Sequence, residues 1–178
     1  PQKERHFFSL QKSLRSCDAI VSVSRYTDKL IPSSTVYNYN RHIISNGVDI
    51  EQFKINDFNK ISINLQGNPR LLTVGSITNR KGQINVIKAL PSILKHYPQA
   101  HYHCIGLPIE AKKILKLAKQ LKVDTHLTLH GFVSNEKLVG MYQQTDILIM
   151  LSQNKIKFDI EGFGIAILEA NLFGVPAI

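Results

Sequence analysis

Residues Leu71–Gly106 read LLTVGSITNRKGQINVIKALPSILKHYPQAHYHCIG. A short β-rich run, Leu71–Val74, enters a loop that opens on Gly75 and closes on Gly82. Gln83–His96 follows, with Ile84, Ile87, Leu90 and Leu94 at helical spacing. Pro91 predicts a kink, or an end to the first part of that helix. Ala100–Ile105 is a second β-rich run, and it too ends on a glycine. Strand, helix and strand in this order make a parallel crossover unit.

The alternation continues downstream. The pattern predicts helix Ile109–Leu121, strand Leu127–Leu129, helix Asn135–Gln143 capped by Ser134, and strand Asp146–Leu151. A long loop, Ser152–Gly162, leads to a last helix from about Gly164 to Phe173. Gly174 and Pro176 punctuate its end, and Val175–Ile178 opens another strand. The fold class is therefore α/β: a doubly wound parallel sheet with helices on both faces. The last helix is apolar on nearly every side, which predicts a buried helix. Glu169 lies in its middle, so it needs a partner or a cavity. Backbone amides or an arginine would satisfy it, and so would a ligand.

Upstream of Arg70 the pattern is shorter. Arg5–Ser16 predicts a helix, Asp18–Ser24 a strand, Ser24–Leu30 a helix ended by Pro32, and Arg41–Ser45 a strand closed by the Asn46-Gly47 turn. This β-α-β piece resembles the last unit of a separate doubly wound domain. Ile50–Pro69 is polar, rich in Asn, Asp and Lys, and reads as a linker. The expected division is 1–49, a linker 50–69, and 70–178.

Composition narrows the function classes. The chain has 178 residues, 43% of them hydrophobic, and a net charge of +9. No apolar run reaches membrane-spanning length. Cys17 and Cys104 are far apart and read as free thiols of a reducing compartment. The positive charge suits an anionic ligand, a membrane surface or nucleic acid. The lysines at 112, 113, 116, 119 and 122 read first as a solvated helix face, and no nucleic-acid module accompanies them.

In an open parallel sheet, ligands bind outside the carboxyl ends of the strands. The unusual local features fall there. Arg80-Lys81-Gly82 sets two cations before a helix N-terminus, which suits a phosphate, although a solvated turn has the same composition. Gly106 follows the second strand, and His130-Gly-Phe-Val133 follows the third, with His130 read as a structural hydrogen-bonding residue. The fourth loop carries Lys155, Lys157, Glu161 and the glycines 162 and 164. Glu161 and Glu169 are eight residues apart, rotated by about 80° if all eight steps were helical. Carboxylates so placed can accept from vicinal hydroxyls, or act as a general acid–base pair. His6, His42, His96, His101, His103 and His126 show no metal-ligand spacing. Neither a Walker loop nor a G-x-G-x-x-G fingerprint is present.

Together these segments resemble the family 4 retaining glycosyltransferases of GT-B architecture. The resemblance rests on Ile44-Ser-Asn-Gly-Val-Asp49 with Phe53, Val74-Gly-Ser with Arg80-Lys-Gly82, Leu129-His-Gly-Phe-Val133 with Tyr142 and Asp146, and Glu161-Gly-Phe-Gly with Glu169-Ala and Gly174-Val-Pro. It implies that residues 70–178 are the Rossmann-like donor domain, the C-terminal half of the fold. Arg80 and Lys81 would hold the donor diphosphate, and Glu161 would contact the donor sugar. The amides of Phe163 and Gly164 would reach sugar or phosphate, and Glu169 would bind the ribose hydroxyls. Phe132 and Val133, with Leu168, would border the base, while Gly75 and Gly106 line the same pocket. Ser76 departs from the arginine that many members carry after the first-loop glycine.

The expected donor is a nucleotide-diphosphate sugar, and the expected acceptor a glycan or lipid-linked glycan. No cofactor, metal or nucleic acid is expected. The implied location is cytoplasmic, with peripheral membrane association of the full-length protein left open. The resemblance also implies an interior fragment: an acceptor-side domain with a catalytic histidine upstream of Pro1, a last strand and helix beyond Ile178, and little activity for this chain alone. A GT-B nucleotide-sugar epimerase or phosphorylase is the alternative enzyme. A non-enzymatic anion- or nucleic-acid-binding module is the alternative outside enzymes.

Overall fold

The parallel crossover expected from Leu71–Gly106 is the centre of the observed fold. The structure is a computed structural model that describes residues 9, 12–31, 40–53, 63–153 and 160–178. The chain forms two compact units, Pro1–Gly47 and Val48–Ile178.

In the first unit, helical residues 12–16 (α1) precede β1 (Ile20–Ser22), α2 (Arg25–Lys29) and β2 (Arg41–Ile43). The strands pair in parallel, with Ile20 opposite Arg41 and Ser22 opposite Ile43. Ser24 and Thr27 close a capping box at the start of α2, satisfying amides that the first helical turn leaves without partners. Arg41 reaches across to Asp28 with Nη2–Oδ2 at 2.9 Å, fastening β2 to that helix. The expected end of α2 at Pro32 lies outside the described residues.

The second unit runs β3 (Arg70–Val74), α3 (Gln83–His96), β4 (His101–Ile105), α4 (Ala111–Gln120), β5 (Leu127–Gly131), α5 (Asn135–Gln144), β6 (Ile147–Leu148) and α6 (Ile165–Leu172). The strand order is β5-β4-β3-β6, and every pair is parallel. Alternate strand residues point to opposite faces. Leu71 therefore joins a core with Val86, Ile87 and Leu90 of α3 and Ile114 and Ala118 of α4. Leu72 joins the opposite core with Val139 and Tyr142 of α5 and Ala166 and Ala170 of α6. Burying Leu72 completely is worth about 2 kcal/mol. Helices on both faces make the sheet doubly wound.

Three features depart from the sequence pattern. Helix α3 runs unbroken through Pro91 to His96. Proline costs one ladder hydrogen bond, but buried Leu90 and the core-packed Ile93 and Leu94 hold both sides of it together. The β6 ladder covers only Ile147–Leu148, yet backbone pairing continues from Asp146 N–H to Arg70 O at 3.0 Å as far as Met150 N–H to Ile178 O at 2.7 Å. Residues 175–178 lie beside β6, with Ala177 opposite Leu148, as the strand expected there requires. Helix α6 buries Ala166 and Ala170 but exposes Ile165 and Leu172, so it is not covered on all sides. Periodicity registers that a helix is apolar, but not which of its faces finds a neighbour.

The stretch read as a linker is tied down at its described ends. Phe53 and Leu65 are buried in the second core, and Gln144 of α5 accepts from Leu65 N–H at 3.0 Å and donates to Ile63 O at 2.6 Å. Among the described residues, no helix is long and apolar enough to cross a membrane.

Candidate functional site

The loops after β3 and β6 are pressed together, and the first reason is a glycine. Gly82 is the N-cap of α3 with φ of 75°, and a Cβ there would lie 1.9 Å from the Leu151 carbonyl oxygen. Only glycine permits that backbone and that approach. Gln153 N–H donates to Arg80 O at 2.7 Å, closing the same contact. Gln83, fully buried at the start of α3, donates from Nε2 to the carbonyl oxygen of Ser76 at 3.1 Å and fixes the course of the loop. Gln83 belongs to none of the sequence motifs above; its place as the first residue after a glycine N-cap was the available signal.

This contact assembles a charged cluster. Arg80 Nη1 and Lys81 Nζ each lie 2.6 Å from the same oxygen, Oε2 of Glu161. Ser152 Oγ donates to that oxygen at 3.3 Å. The side chains are largely removed from solvent, with Arg80 and Glu161 each 21% exposed and Lys81 16%. Burial pushes the Glu161 carboxyl up, but the hydrogen bonds and charges of Lys81 and Arg80 outweigh it and hold it below the ordinary glutamate range. All three residues expected to do the chemistry are thus in mutual contact, with Ser152 as a further member. Lys155 and Lys157 lie outside the described residues.

The glycines expected to line a pocket sit at adjacent strand ends. Gly75 N–H donates to Ile105 O at 2.8 Å, and Gly106 N–H donates to Gly131 O at 2.9 Å, so the hydrogen-bond ladder carries into the loops. A Cβ on Gly106 would meet the Gly75 carbonyl oxygen at 2.3 Å. The Lys81 side chain passes over Gly75, its Cε 3.1 Å from where a Cβ would stand. Two helix N-termini flank the cluster, those of α3 and α6. Their N-caps, Gly82 and Gly164, both have left-handed φ and neither supplies a side-chain cap. The Ser134 side chain, by contrast, caps α5. The first amides of α3 and α6 are therefore left for other acceptors.

Glu169 is held elsewhere. Tyr142 OH of α5 donates to Glu169 Oε2 at 2.7 Å, and the Tyr142 ring stacks on Phe173 at 5.6 Å. The partner is a phenol, not the arginine or backbone amide considered from sequence. Burial, then the Glu169 carboxylate, raises the Tyr142 pKa, so the phenol stays a proton donor. Leu168 and Phe163 are half-buried. Val133 packs against the second core, whereas Phe132 is 82% exposed just beyond β5. Asp146, singled out only by resemblance, binds Arg70 through Nε and Nη2, both at 3.0 Å, and its own hydrogen bonds keep its carboxyl below the usual aspartate range.

Histidines spaced irregularly in sequence meet across β4 and β5. His103 Nδ1 lies 3.0 Å from His130 Nε2, and His103 Nε2 lies 2.9 Å from Gln66 O. The carbonyl can only accept, so His103 carries its proton on Nε2 and accepts from His130 Nε2–H. His130 is the hydrogen-bonding structural residue expected. The His101 and His103 rings lie 4.6 Å apart, tilted by 30°. Burial, then the neighbouring histidines, pushes His101 down to about 4; burial, then His103 and Lys137, does the same to His130. Burial also lowers His103, assisted by Arg70 and opposed by the Gln66 carbonyl. Among the described residues, no group of three or more His, Cys, Asp or Glu side chains could hold a metal ion.

Comparison with known proteins agrees with this fold. The model of the family described as Glycosyl transferases group 1 matches residues 54–178. A GDP-mannose-dependent alpha-(1-6)-phosphatidylinositol monomannoside mannosyltransferase of Mycobacterium tuberculosis (strain CDC 1551 / Oshkosh) is 28% identical over 166 residues, covering 90% of this chain and 43% of that protein. The chain thus spans less than half the length of this relative. The solved sucrose-phosphate synthase of Thermosynechococcus elongatus has a TM-score of 0.78 at 20% identity, over 98% of this chain and 43% of that one. Anabaena Alr3699/HepE, solved in complex with UDP and glucose, has a TM-score of 0.73 at 20% identity, over 93% of this chain and 45% of that one. The strand-end cluster, the parallel sheet and the match over most of the chain converge: this chain belongs to the glycosyl transferases group 1 family, the family 4 retaining glycosyltransferases of GT-B fold.

Proposed function

We propose that residues 48–178 bind the nucleotide-diphosphate sugar donor of a retaining glycosyltransferase, and that the protein containing them transfers a hexose to a glycan or lipid-linked glycan. The observation that carries this reading is the single oxygen of Glu161 gripped at 2.6 Å by both Arg80 and Lys81. Two adjacent, mostly buried cations at a strand end require an anion, and a donor diphosphate supplies one.

In this reading Arg80 and Lys81 neutralise the diphosphate as it leaves, so the charge is met by side chains rather than by a divalent ion. Glu161 turns to the sugar, and the amides of Phe163 and Gly164 serve sugar or phosphate. Glu169, oriented by Tyr142, receives the ribose hydroxyls. The backbone at Phe132–Val133, with Leu168, borders the base, and Gly75 and Gly106 form the floor. Transfer with retention passes through an oxocarbenium-like state whose departing charge this cluster stabilises. GDP-mannose is the first donor to try, because the mycobacterial relative is named for it; UDP-glucose is the second, because the Anabaena protein was solved with UDP and glucose. For the acceptor we choose a lipid-linked glycan on the cytoplasmic face of a membrane.

Calorimetric titration of the full-length protein with a panel of nucleotide sugars tests the reading. One donor should bind, and Lys81→Ala and Glu169→Ala should each weaken it. Unchanged affinity in both variants would show that the donor binds elsewhere.

A further inference from the structure

We infer that Glu161 is an internal competitor for the donor's diphosphate: its carboxylate occupies the Arg80–Lys81 grip until a ligand displaces it. The inference rests on the donor-binding reading of this site. One carboxylate oxygen takes hydrogen bonds from Arg80 Nη1 at 2.6 Å, from Lys81 Nζ at 2.6 Å and from Ser152 Oγ at 3.3 Å. These are the contacts that a phosphate oxygen would make. A diphosphate cannot simply join the arrangement, because its oxygens would then stand against a carboxylate in a partly desolvated pocket. Glu161 must therefore rotate off the cations before the diphosphate settles on them. Its position suits such a movement. Gly162 follows it directly, Gly164 opens α6 with φ of 84°, and residues 160–163 lie outside the helices and strands.

The exchange makes the site selective. A nucleotide sugar offers hydroxyls to the displaced carboxylate, so part of the cost of displacement is recovered. A bare diphosphate offers none and bears the whole cost. The apparent affinity of an anion is reduced by the fraction of time the grip is unoccupied. A grip held by Glu161 about nine-tenths of the time weakens a bare diphosphate about tenfold. The same carboxylate that recognises the sugar thus favours loading of intact donor and release of spent nucleoside diphosphate.

The test uses inorganic pyrophosphate, which lacks both sugar and base, titrated into the full-length protein. Glu161→Gln keeps the size of the side chain and removes its charge, and it should tighten pyrophosphate by about tenfold. Lys81→Ala should weaken it. A Glu161→Gln protein that binds pyrophosphate no tighter than wild type, while Lys81→Ala binds it less well, overturns the competitor and leaves the anion site standing. Pyrophosphate affinity unchanged by Lys81→Ala overturns the anion site and the donor reading with it. Glu161→Asp guards against misfolding of the amide variant. It keeps the charge but withdraws it by one methylene, and should tighten pyrophosphate by about threefold; equal or weaker binding also overturns the proposal. A merely structural role for Glu161 would loosen the site, so tightening is the result that separates the two.

Discussion

The second unit holds two sets of polar side chains away from water, by opposite means. At the strand ends Glu161 stays ionised, because Arg80 and Lys81 stand at 2.6 Å from one of its oxygens. Between β4 and β5, burial holds His101, His103 and His130 below the ordinary histidine range, and among the described residues no acidic side chain bonds to them. His103 sees Arg70, His130 and the Gln66 carbonyl; His130 sees His103 and Lys137; His101 sees Thr128 and the other histidines. One set is paired charge, exchangeable for a ligand in the reading proposed above. The other is a hydrogen-bond chain with a fixed direction, from His130 to His103 to the Gln66 carbonyl, with His101 packed beside it. The difference separates a candidate site from a structural one more clearly than residue type does.

Acid should break the comparison most strongly. His101 and His130 titrate near 4 in the folded chain and near 6.5 when unfolded. Between those values the unfolded chain binds more protons, so stability is complete above about pH 6.5 and falls as pH drops towards 4. The loss should reach a few kcal/mol in denaturant titrations run at stepped pH. Glu161 adds its own loss only at lower pH, as the pH falls below the ordinary glutamate value through its depressed folded one. His103→Gln should flatten the slope between pH 6.5 and 4.

The next effect should fall on binding alone. Lys81→Ala removes one charge-assisted hydrogen bond from the grip, and should cost about 2 kcal/mol of nucleoside diphosphate affinity, near thirtyfold, by calorimetry. The acid unfolding profile above pH 5 should not change, because Lys81 does not face the histidines.

The fold was legible in the sequence to the extent that local pattern decides it. Gln83–His96 was set by its helical spacing, the strands around it by their alternation with helices, and Ser134 by its capping chemistry. The resemblance named Arg80, Lys81 and Glu161 together, and the structure brings them into contact. What pattern could not reach depended on neighbours distant in the chain. Tyr142 meets Glu169 across 27 residues, and His103 meets His130 across the same separation. Neither pair leaves a periodic trace. Pro91 does not end α3, because the rule for proline is local, whereas the packing of Leu90, Ile93 and Leu94 is not.

Two smaller tests sharpen the contrast. Tyr142→Phe deletes the donor to Glu169 and should weaken donor binding by about fivefold, roughly 1 kcal/mol, while pyrophosphate affinity stays constant. An equal loss for both ligands would mean that Tyr142 acts on the whole site rather than through Glu169. Asp146→Asn should matter least. Its bond to Arg70 is about one-third exposed, so a thermal melt should register a loss of about 1 kcal/mol or less, with donor affinity unchanged.

The most direct test is a structure of the full-length protein with a bound nucleoside diphosphate. The expected result is phosphate oxygens within hydrogen-bond reach of Arg80 Nη1 and Lys81 Nζ, and the Glu161 carboxylate turned away from both. Phosphates bound at another place, with Glu161 Oε2 still 2.6 Å from both cations, would contradict it.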